Sequence, residues 1–315
     1  MNSKKINLGV IGVGYLGKYH VKHLSQFECV NLVGIYDINE NLMNEVSNQY
    51  QVPTAPSINE LYKKAEAISI VTPTKQHYEI AIQALENNCH VFIEKPISNS
   101  IKSAELILKK KLEKKKVVHV GHIERFNPAF KSFMQQIRKP LFLECHRLTK
   151  INNRSMDISV VEDLMIHDID LVLQMINVPI KKIIADGINL ISNNVDLANV
   201  KLIFENSAVA NLTASRISNK DMRKIRVFEK QKYSSVDLLN KNVIEYSACK
   251  NEEKKLIFKN KILPVNNYDA LAAELTHFCD CILKNDIEPQ NIENSIKALE
   301  VAQQINLIIQ KKVIK

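Results

Sequence analysis

A glycine turn wedged between an apolar run and a helical pattern constrains this chain more than any other feature. The stretch Gly9-Val10-Ile11-Gly12-Val13-Gly14-Tyr15-Leu16-Gly17 carries G-x-G-x-x-G at Gly12, Gly14 and Gly17. Ile6–Ile11 ahead of it reads as a buried strand and Tyr15–Phe27 behind it as a helix. Gly12 permits the tight turn, Gly14 lets the backbone approach a pyrophosphate, and Gly17 packs helix against strand. The helix N-terminus then faces the phosphate charge. Tyr15 and Leu16, inside the turn, join the glycines as cofactor-binding candidates. Asp37 ends the second strand twenty residues after Gly17. A carboxylate there accepts hydrogen bonds from a ribose 2′-OH and repels a 2′-phosphate. Ile38 and Asn39 follow, with no Arg or Lys, so the cofactor expected is NAD rather than NADP.

The alternation that begins at this turn continues. Cys29–Tyr36, Ala67–Val71, His90–Ile93 and Val117–Val120 read as further strands, and Asn39–Tyr50, Gln76–Asn87 and Ile101–Lys116 as helices between them. Pro53 and Pro56 mark a loop. Near-continuous apolar strands separated by helices predict a doubly wound parallel sheet covered on both faces. Beyond about residue 125 the pattern changes. Leu141–Leu148 is strand-like and Ser159–Asn177 helical. Strand-like runs follow at Ile180–Leu190, Asn199–Phe204, Ala208–Ala214, Lys224–Phe228, Ser234–Asp237 and Asn242–Tyr246. Helices at Tyr268–Lys284 and Ile292–Lys312 finish the chain. Strands following strands predict an open, mostly antiparallel sheet with helices on one face. The expectation is an α/β Rossmann domain over residues 1–122 and an α+β substrate-binding and oligomerisation domain over residues 123–315. The C-terminal helix is able to pack back onto the first domain.

Composition narrows the function classes. A chain of 315 residues that is 45% hydrophobic can bury two cores. No apolar run reaches the ~18–20 residues of a membrane helix, and nothing at the N-terminus resembles a secretory leader, so a cytoplasmic location is expected. Six scattered cysteines form no C-x-x-C pair, which favours reduced, structural thiols and gives no metal site. The net charge of +9 is spread through the chain. Its densest run, Lys109–Lys116, reads as the solvated end of an amphipathic helix. With no Trp and 6% aromatics, no base-stacking platform stands out, and neither a nucleic-acid partner nor membrane insertion is expected.

Two constellations carry candidate chemistry. The fourth strand runs into Glu94-Lys95-Pro96. Ligands of open α/β sheets sit at the C-terminal ends of the strands, so Lys95 is placed where a nicotinamide reacts, and Pro96 confines it to extended angles. The second is Asp163-x-x-x-His167-x-x-Asp170. On a helix these three share a face, and a carboxylate beside an imidazole orients it for acid–base work. A helix-surface ion pair or half of a metal site fits the same spacing.

Taken together, the glycines, Glu94-Lys95-Pro96 and the Asp163–His167–Asp170 spacing resemble the glucose–fructose oxidoreductase/inositol dehydrogenase (Gfo/Idh/MocA) family over essentially the whole chain. The resemblance implies that Lys95 is the active-site lysine, His167 the acid–base histidine and Asp163 its supporting acid. It implies that Thr72, Pro73 and His77 line the cofactor and that Glu94 lies near the nicotinamide ribose. It also implies a C-terminal sheet that often joins homodimers or homotetramers. Three stretches, Val120–Pro128, Leu164–Asp170 and Asn211–Arg216 followed by Met222-Arg223-Lys224, are similar to the UDP-N-acetylglucosamine 3-dehydrogenases within that family. Such enzymes oxidise the sugar 3-hydroxyl, and an aminotransferase then installs an amine for lipid A synthesis. Leu164 stands where the family often has a small residue.

A UDP-sugar brings a diphosphate that needs cationic partners. Arg125, Arg147, Arg154, Arg216 and Arg223 are candidates, Asn127 is counted with them, and Arg125 is also a candidate for the cofactor. Another UDP-sugar such as a uronate, a free polyol, and an NAD-sensing regulator on the same fold are the competing readings.

Overall fold

The computed structural model describes residues 5–151, 158–250, 255–287 and 290–313. The chain divides into two units, Met1–Ile123 with Leu271–Lys297, and Glu124–Ala270 with Ala298–Lys315. In the first unit, strands β1 (Ile6–Ile11), β2 (Val30–Tyr36), β3 (Ala67–Ile70), β4 (His90–Glu94) and β5 (Val118–Gly121) form an all-parallel sheet in the order β2-β1-β3-β4-β5. Helices α1 (Tyr15–Leu24), α2 (Glu40–Tyr50), α3 (Ile58–Lys64), α4 (Thr74–Glu86) and α5 (Ile101–Lys114) make the crossovers. β3 is buried at every residue, as expected of a strand covered on both faces. β1 lies between β2 and β3, so the strand order reverses there. Ligands of open α/β sheets bind at the C-terminal ends beside such a reversal.

Two local readings change. The segment after Pro56 contains α3, whose first turn is capped where Glu60 N donates to Ser57 Oγ at 3.2 Å. The basic run on α5 is not wholly solvated. Lys111 falls on the buried stripe with Ala104 and Ile107, and its Nζ donates to the Ile287 carbonyl.

In the second unit, a 3-10 turn at Ile123–Phe126 and helix α6 (Pro128–Met134) precede β6 (Phe142–Lys150). A π-helical turn, Val161–Met165, opens directly into α7 (Ile166–Ile176). Then come β7 (Ile180–Ile188), β8 (Leu197–Phe204), β9 (Val209–Ser218), β10 (Met222–Glu229), β11 (Lys232–Asp237), β12 (Asn242–Lys250) and β13 (Leu256–Ile262). The sheet order is β13-β12-β11-β10-β6-β9-β8-β7, antiparallel except for β6 against β9. Period-2 alternation sets the faces. Ala198, Val200, Leu202 and Phe204 of β8, Ala210, Leu212 and Ala214 of β9 and Leu143 and Cys145 of β6 turn into one core with residues of α6 and α7. The opposite face carries an aromatic row. Phe142 meets Phe228 edge-on at 5.9 Å, Phe228 stacks on Tyr233 at 4.8 Å, and Tyr233 stacks on Tyr246 at 5.1 Å.

The last helices are α8 (Ala270–Leu283) and α9 (Gln290–Val313). Leu271–Lys297, assigned to the second domain from sequence, clusters with the first unit. The reason is apolar burial. Leu271, Leu275, Phe278 and Cys279 of α8 join the core that holds Leu8, Val10, Val21 and Phe92. From Ala298 onward α9 belongs to the second unit, where Ala302, Ile305 and Ile309 enter its core. Among the described residues no helix is long and apolar enough to cross a membrane.

Candidate active site

The glycine turn has the shape that its sequence requires. Gly12 has φ +89°, and a Cβ there would come within 2.6 Å of the Val71 carbonyl oxygen. A Cβ on Gly17 would stand 2.1 Å from the Gly12 carbonyl oxygen, so helix and strand close to this distance only without a side chain. Gly14 is different, because a Cβ there meets nothing within 4 Å. Gly14 is also the N-cap of α1, with no side-chain cap and no acidic residue in the first turn. The first N–H groups of the helix are thus left for an anion. Tyr15 and Leu16 beside it are exposed. Asp37 Oδ2 accepts from Val13 N at 2.8 Å and Oδ1 from Asn39 N at 2.9 Å, so the acid that ends β2 also braces the turn. Asn39 caps α2 through Leu42 N at 3.1 Å. The Thr72 hydroxyl oxygen, next to the turn, is buried with no hydrogen-bond partner among the described residues. Open space at Gly14, an uncapped helix start, a carboxylate at the end of β2 and this hydroxyl together fit a dinucleotide.

Pro73 is exposed at the N-cap of α4. His77, one turn further on, is buried. Its Nδ1 lies 2.9 Å from the Pro96 carbonyl and its Nε2 2.8 Å from the Thr72 carbonyl. Burial pushes its pKa down against the pull of those two carbonyls. His77 therefore ties the loop after β3 to the segment after β4, with both of its ring nitrogens directed at backbone carbonyls. The Lys95–Pro96 bond is cis. Glu94 and Lys95 are half-buried at the end of β4.

In the second unit, the π-helical turn carries Asp163, and His167 stands in the first turn of α7. The N–H of Ile166 reaches back to the Val161 carbonyl, five residues earlier, where an α-helix would bond four back. Such wide turns are frequent at functional sites. Ser159 starts the turn, its carbonyl accepting from Glu162 N at 3.1 Å and from Asp163 N at 3.0 Å. The Asp170 carboxylate, grouped with His167 by spacing, takes the Arg125 guanidinium at both oxygens, with Arg125 Nε at 2.8 Å, and accepts from Gln174.

The residues gathered as substrate contacts separate by burial. Arg147 is 2% exposed. It donates to Asp168 Oδ1 from Nε at 3.1 Å and Nη2 at 2.8 Å, and to Glu124 Oε1 from Nη1 at 2.8 Å. Burial works against its charge, but the two carboxylates outweigh burial and drive its pKa up. This is an internal strut with no face for a phosphate, which corrects the sequence expectation. Asn127 is corrected likewise. It is buried, caps α6 through Ala129 N at 3.0 Å, and donates to Glu124 and to the Leu238 carbonyl. Arg216 is buried too, with Nη2 on the Ile158 carbonyl at 2.6 Å. Arg125 is mostly covered, and Arg223, whose side chain is 45% exposed, touches Glu124 only at 3.4 Å. Arg154 lies outside the described residues. Glu124 and Asp168, the buried carboxylates that organise this cluster, were missed from sequence. So were His20 and Ser69 beneath Glu94, although His20 falls on the buried stripe of α1 with Gly17, Val21 and Leu24.

Comparison with known proteins extends over both units. Residues 6–122 match an oxidoreductase family with an NAD-binding Rossmann fold, and residues 132–231 match the GFO/IDH/MocA C-terminal domain. The chain is 33% identical over 276 residues to the UDP-N-acetylglucosamine 3-dehydrogenase of Acidithiobacillus ferrooxidans, covering 87% of this chain and 88% of that one. A solved structure of that enzyme superposes with a TM-score of 0.90 at 30% identity, over 98% of this chain and 99% of that one. The scyllo-inositol 2-dehydrogenase (NAD(+)) of Bacillus subtilis is 24% identical over 309 residues, 88% of this chain and 86% of that one.

Proposed function

Because the chain belongs to the Gfo/Idh/MocA family of NAD-binding oxidoreductases, we propose that it oxidises the 3-hydroxyl of UDP-N-acetylglucosamine to the 3-keto sugar nucleotide. The observation that carries this reading is the 33% identity to a UDP-N-acetylglucosamine 3-dehydrogenase across 87% of the chain. The inositol dehydrogenase stands at 24%. Gly12, Gly14 and Gly17 hold the cofactor's pyrophosphate against the start of α1, and Asp37 takes its ribose hydroxyls. Bound NAD supplies the acceptor for the hydride that leaves C3.

The remaining chemistry belongs to side chains. A ring nitrogen of neutral His167 removes the 3-hydroxyl proton. Lys95 Nζ donates to the same oxygen and stabilises the negative charge that develops there. Asp163 holds the imidazole in its working orientation. Arg223, whose side chain is far more open than those of Arg125, Arg147 and Arg216, is the first choice for the diphosphate. The keto product is the natural substrate for an aminotransferase, in keeping with 3-amino sugar synthesis for lipid A. The aromatic row on the outer face of the eight-stranded sheet favours a homodimer or homotetramer built through that sheet.

The test is NADH formation at 340 nm from NAD⁺ and UDP-N-acetylglucosamine, with glutamate, pyridoxal phosphate and a partner aminotransferase to remove the ketone. NADH that depends on the UDP-sugar is the expected result. Its absence, with NAD⁺ still bound, refutes the substrate assignment. The inositol dehydrogenase relative makes a free polyol the second reading, and inhibition by UDP separates the two.

A further inference from the structure

His20 is fully buried on α1, three residues beyond Gly17. Its Nδ1 lies 2.9 Å from Ser69 Oγ on β3, and its Nε2 lies 3.0 Å from Glu94 Oε1 at the end of β4. A carboxylate only accepts, so the hydrogen sits on Nε2, and Nδ1 receives the Ser69 hydroxyl. Every group in this chain of three then has its partner. Phe92 packs edge-on against the imidazole at 5.3 Å, which fixes the plane of the ring. The other Glu94 oxygen accepts the backbone N–H of Lys95 at 3.2 Å. Gly121 on β5 lies opposite Glu94 in the sheet, and a Cβ there would stand 3.0 Å from both carboxylate oxygens. One carboxylate at the C-terminal edge of the sheet is thus gripped by α1, by its own strand, and by a neighbouring strand that has given up its side chain to admit it.

We propose that His20 is a positioning residue of the coenzyme site. It holds the Glu94 carboxylate, and with it the backbone amide of Lys95, at the strand ends where a ribose diol is bound, while the Ser69 hydroxyl donates to Nδ1 and holds the ring from its other side. This rests on the NAD-dependent dehydrogenase reading and extends it to two residues outside the glycine turn and the reacting pair. Orientation of this kind acts through Glu94 alone. A purely structural histidine would instead act through stability, whatever stood at position 94.

The experiment is a double-mutant cycle on NAD⁺ affinity, measured by titration calorimetry on the intact protein without sugar, so that a wrong substrate assignment leaves the readout untouched. His20→Asn withdraws the donor from Glu94 and should raise the NAD⁺ dissociation constant about tenfold, the cost of one hydrogen bond to a charged group. In a Glu94→Ala background the same change should have no further effect. His20→Gln, which puts an amide N–H at the Nε2 position, should return the constant to within about threefold of the parent. Equal losses in both backgrounds, or unchanged affinity in folded His20→Asn, overturn the proposal. Should His20→Asn fail to fold, Ser69→Ala carries the same cycle. It should weaken binding about threefold only when Glu94 is present, and equal losses in the two backgrounds refute the assignment.

Discussion

Replacing Arg147 by Met removes the guanidinium from between Asp168 and Glu124 and keeps a chain of similar length in its place. The side chains of Asp168 and Glu124 are 4% and 6% exposed. Asp168 loses both of its contacts with Arg147. Glu124 keeps the Asn127 amide at 3.0 Å and the distant Arg223 at 3.4 Å. Taking one partner out of a buried ion pair costs about 3–5 kcal/mol, because the remaining charge stays buried. For a unit of this size each kcal/mol lowers the melting temperature by roughly 2–4 °C, so a fall of about 6–20 °C is expected.

The pH dependence has a definite sign. Burial works against ionised Glu124, but Arg147 outweighs it and holds the carboxyl below its usual range. Stability from a depressed carboxylate is fully present above its unfolded pKa and is lost as the pH falls through the folded value. The gap between variant and parent is therefore widest near neutrality and narrows as the pH falls through the carboxylate range, where the carboxyls left without Arg147 take up protons first. Urea unfolding at pH 4, 5.5 and 7.5 measures it. Asp168→Asn added to Arg147→Met should recover about half of the loss, since the uncompensated charge is then gone. A melting temperature within 2 °C or so of the parent, with a raised KM for the UDP-sugar, would refute the strut and return Arg147 to the substrate.

Four further outcomes follow. Gly14→Ala should leave stability within about 0.5 kcal/mol, since its Cβ meets nothing, yet weaken NAD⁺ at least about tenfold by blocking close approach to the pyrophosphate. Gly17→Ala should cost about 1–3 kcal/mol as well, because its Cβ runs into the Gly12 carbonyl; thermal melts and NAD⁺ titration check both. His167→Asn should bind NAD⁺ normally and lose turnover by ~10²–10⁴-fold, and near-normal NADH formation in that variant would remove His167 from the reaction. Asp196 is buried, but its hydrogen bonds from Ile191 N, the Ser192 hydroxyl, Leu190 N and Ser192 N outweigh burial and hold its pKa down to about 2. A depressed acid loses its contribution as the pH falls toward that value, so acidification from pH 5 to pH 2 should cost the parent about 2 kcal/mol more than Asp196→Asn.

The elements read correctly from sequence are those whose burial repeats locally. The parallel strands appear as unbroken apolar runs because both their faces are covered. β8 and β9 show their alternation because only one face is. β13 gave no such signal. Leu256, Phe258 and Ile262 are exposed, and this edge strand is defined by its backbone pairing with β12, which leaves no apolar pattern. α3 is seven residues long, too short for periodicity to register, although Ser57 and Glu60 carry the S-x-x-E spacing of a capped start.

The same distinction separates the two kinds of site residue. The glycine turn is legible because its function is backbone chemistry confined to six consecutive residues, Gly12–Gly17. The arginines are not, because what an arginine can bind depends on which acids have already taken it. Arg147 finds Glu124 and Asp168 from 23 and 21 residues away, and Arg125 finds Asp170 across 45. One local clue did exist. Leu143, Cys145 and Arg147 alternate along β6, so the period that buries the first two buries the third. A lone arginine in register with core residues must bring its own counter-ions inside, and the buried Glu124 and Asp168 are those counter-ions. Arg223 shares that face, paired with Arg147 across β6 and β10 and in register with buried Ile225 and Val227, but it sits at the start of its strand with 45% of its side chain exposed, which is why the proposed diphosphate contact falls to it. Charge reversal there should raise the KM for the sugar nucleotide without the loss of stability expected at Arg147.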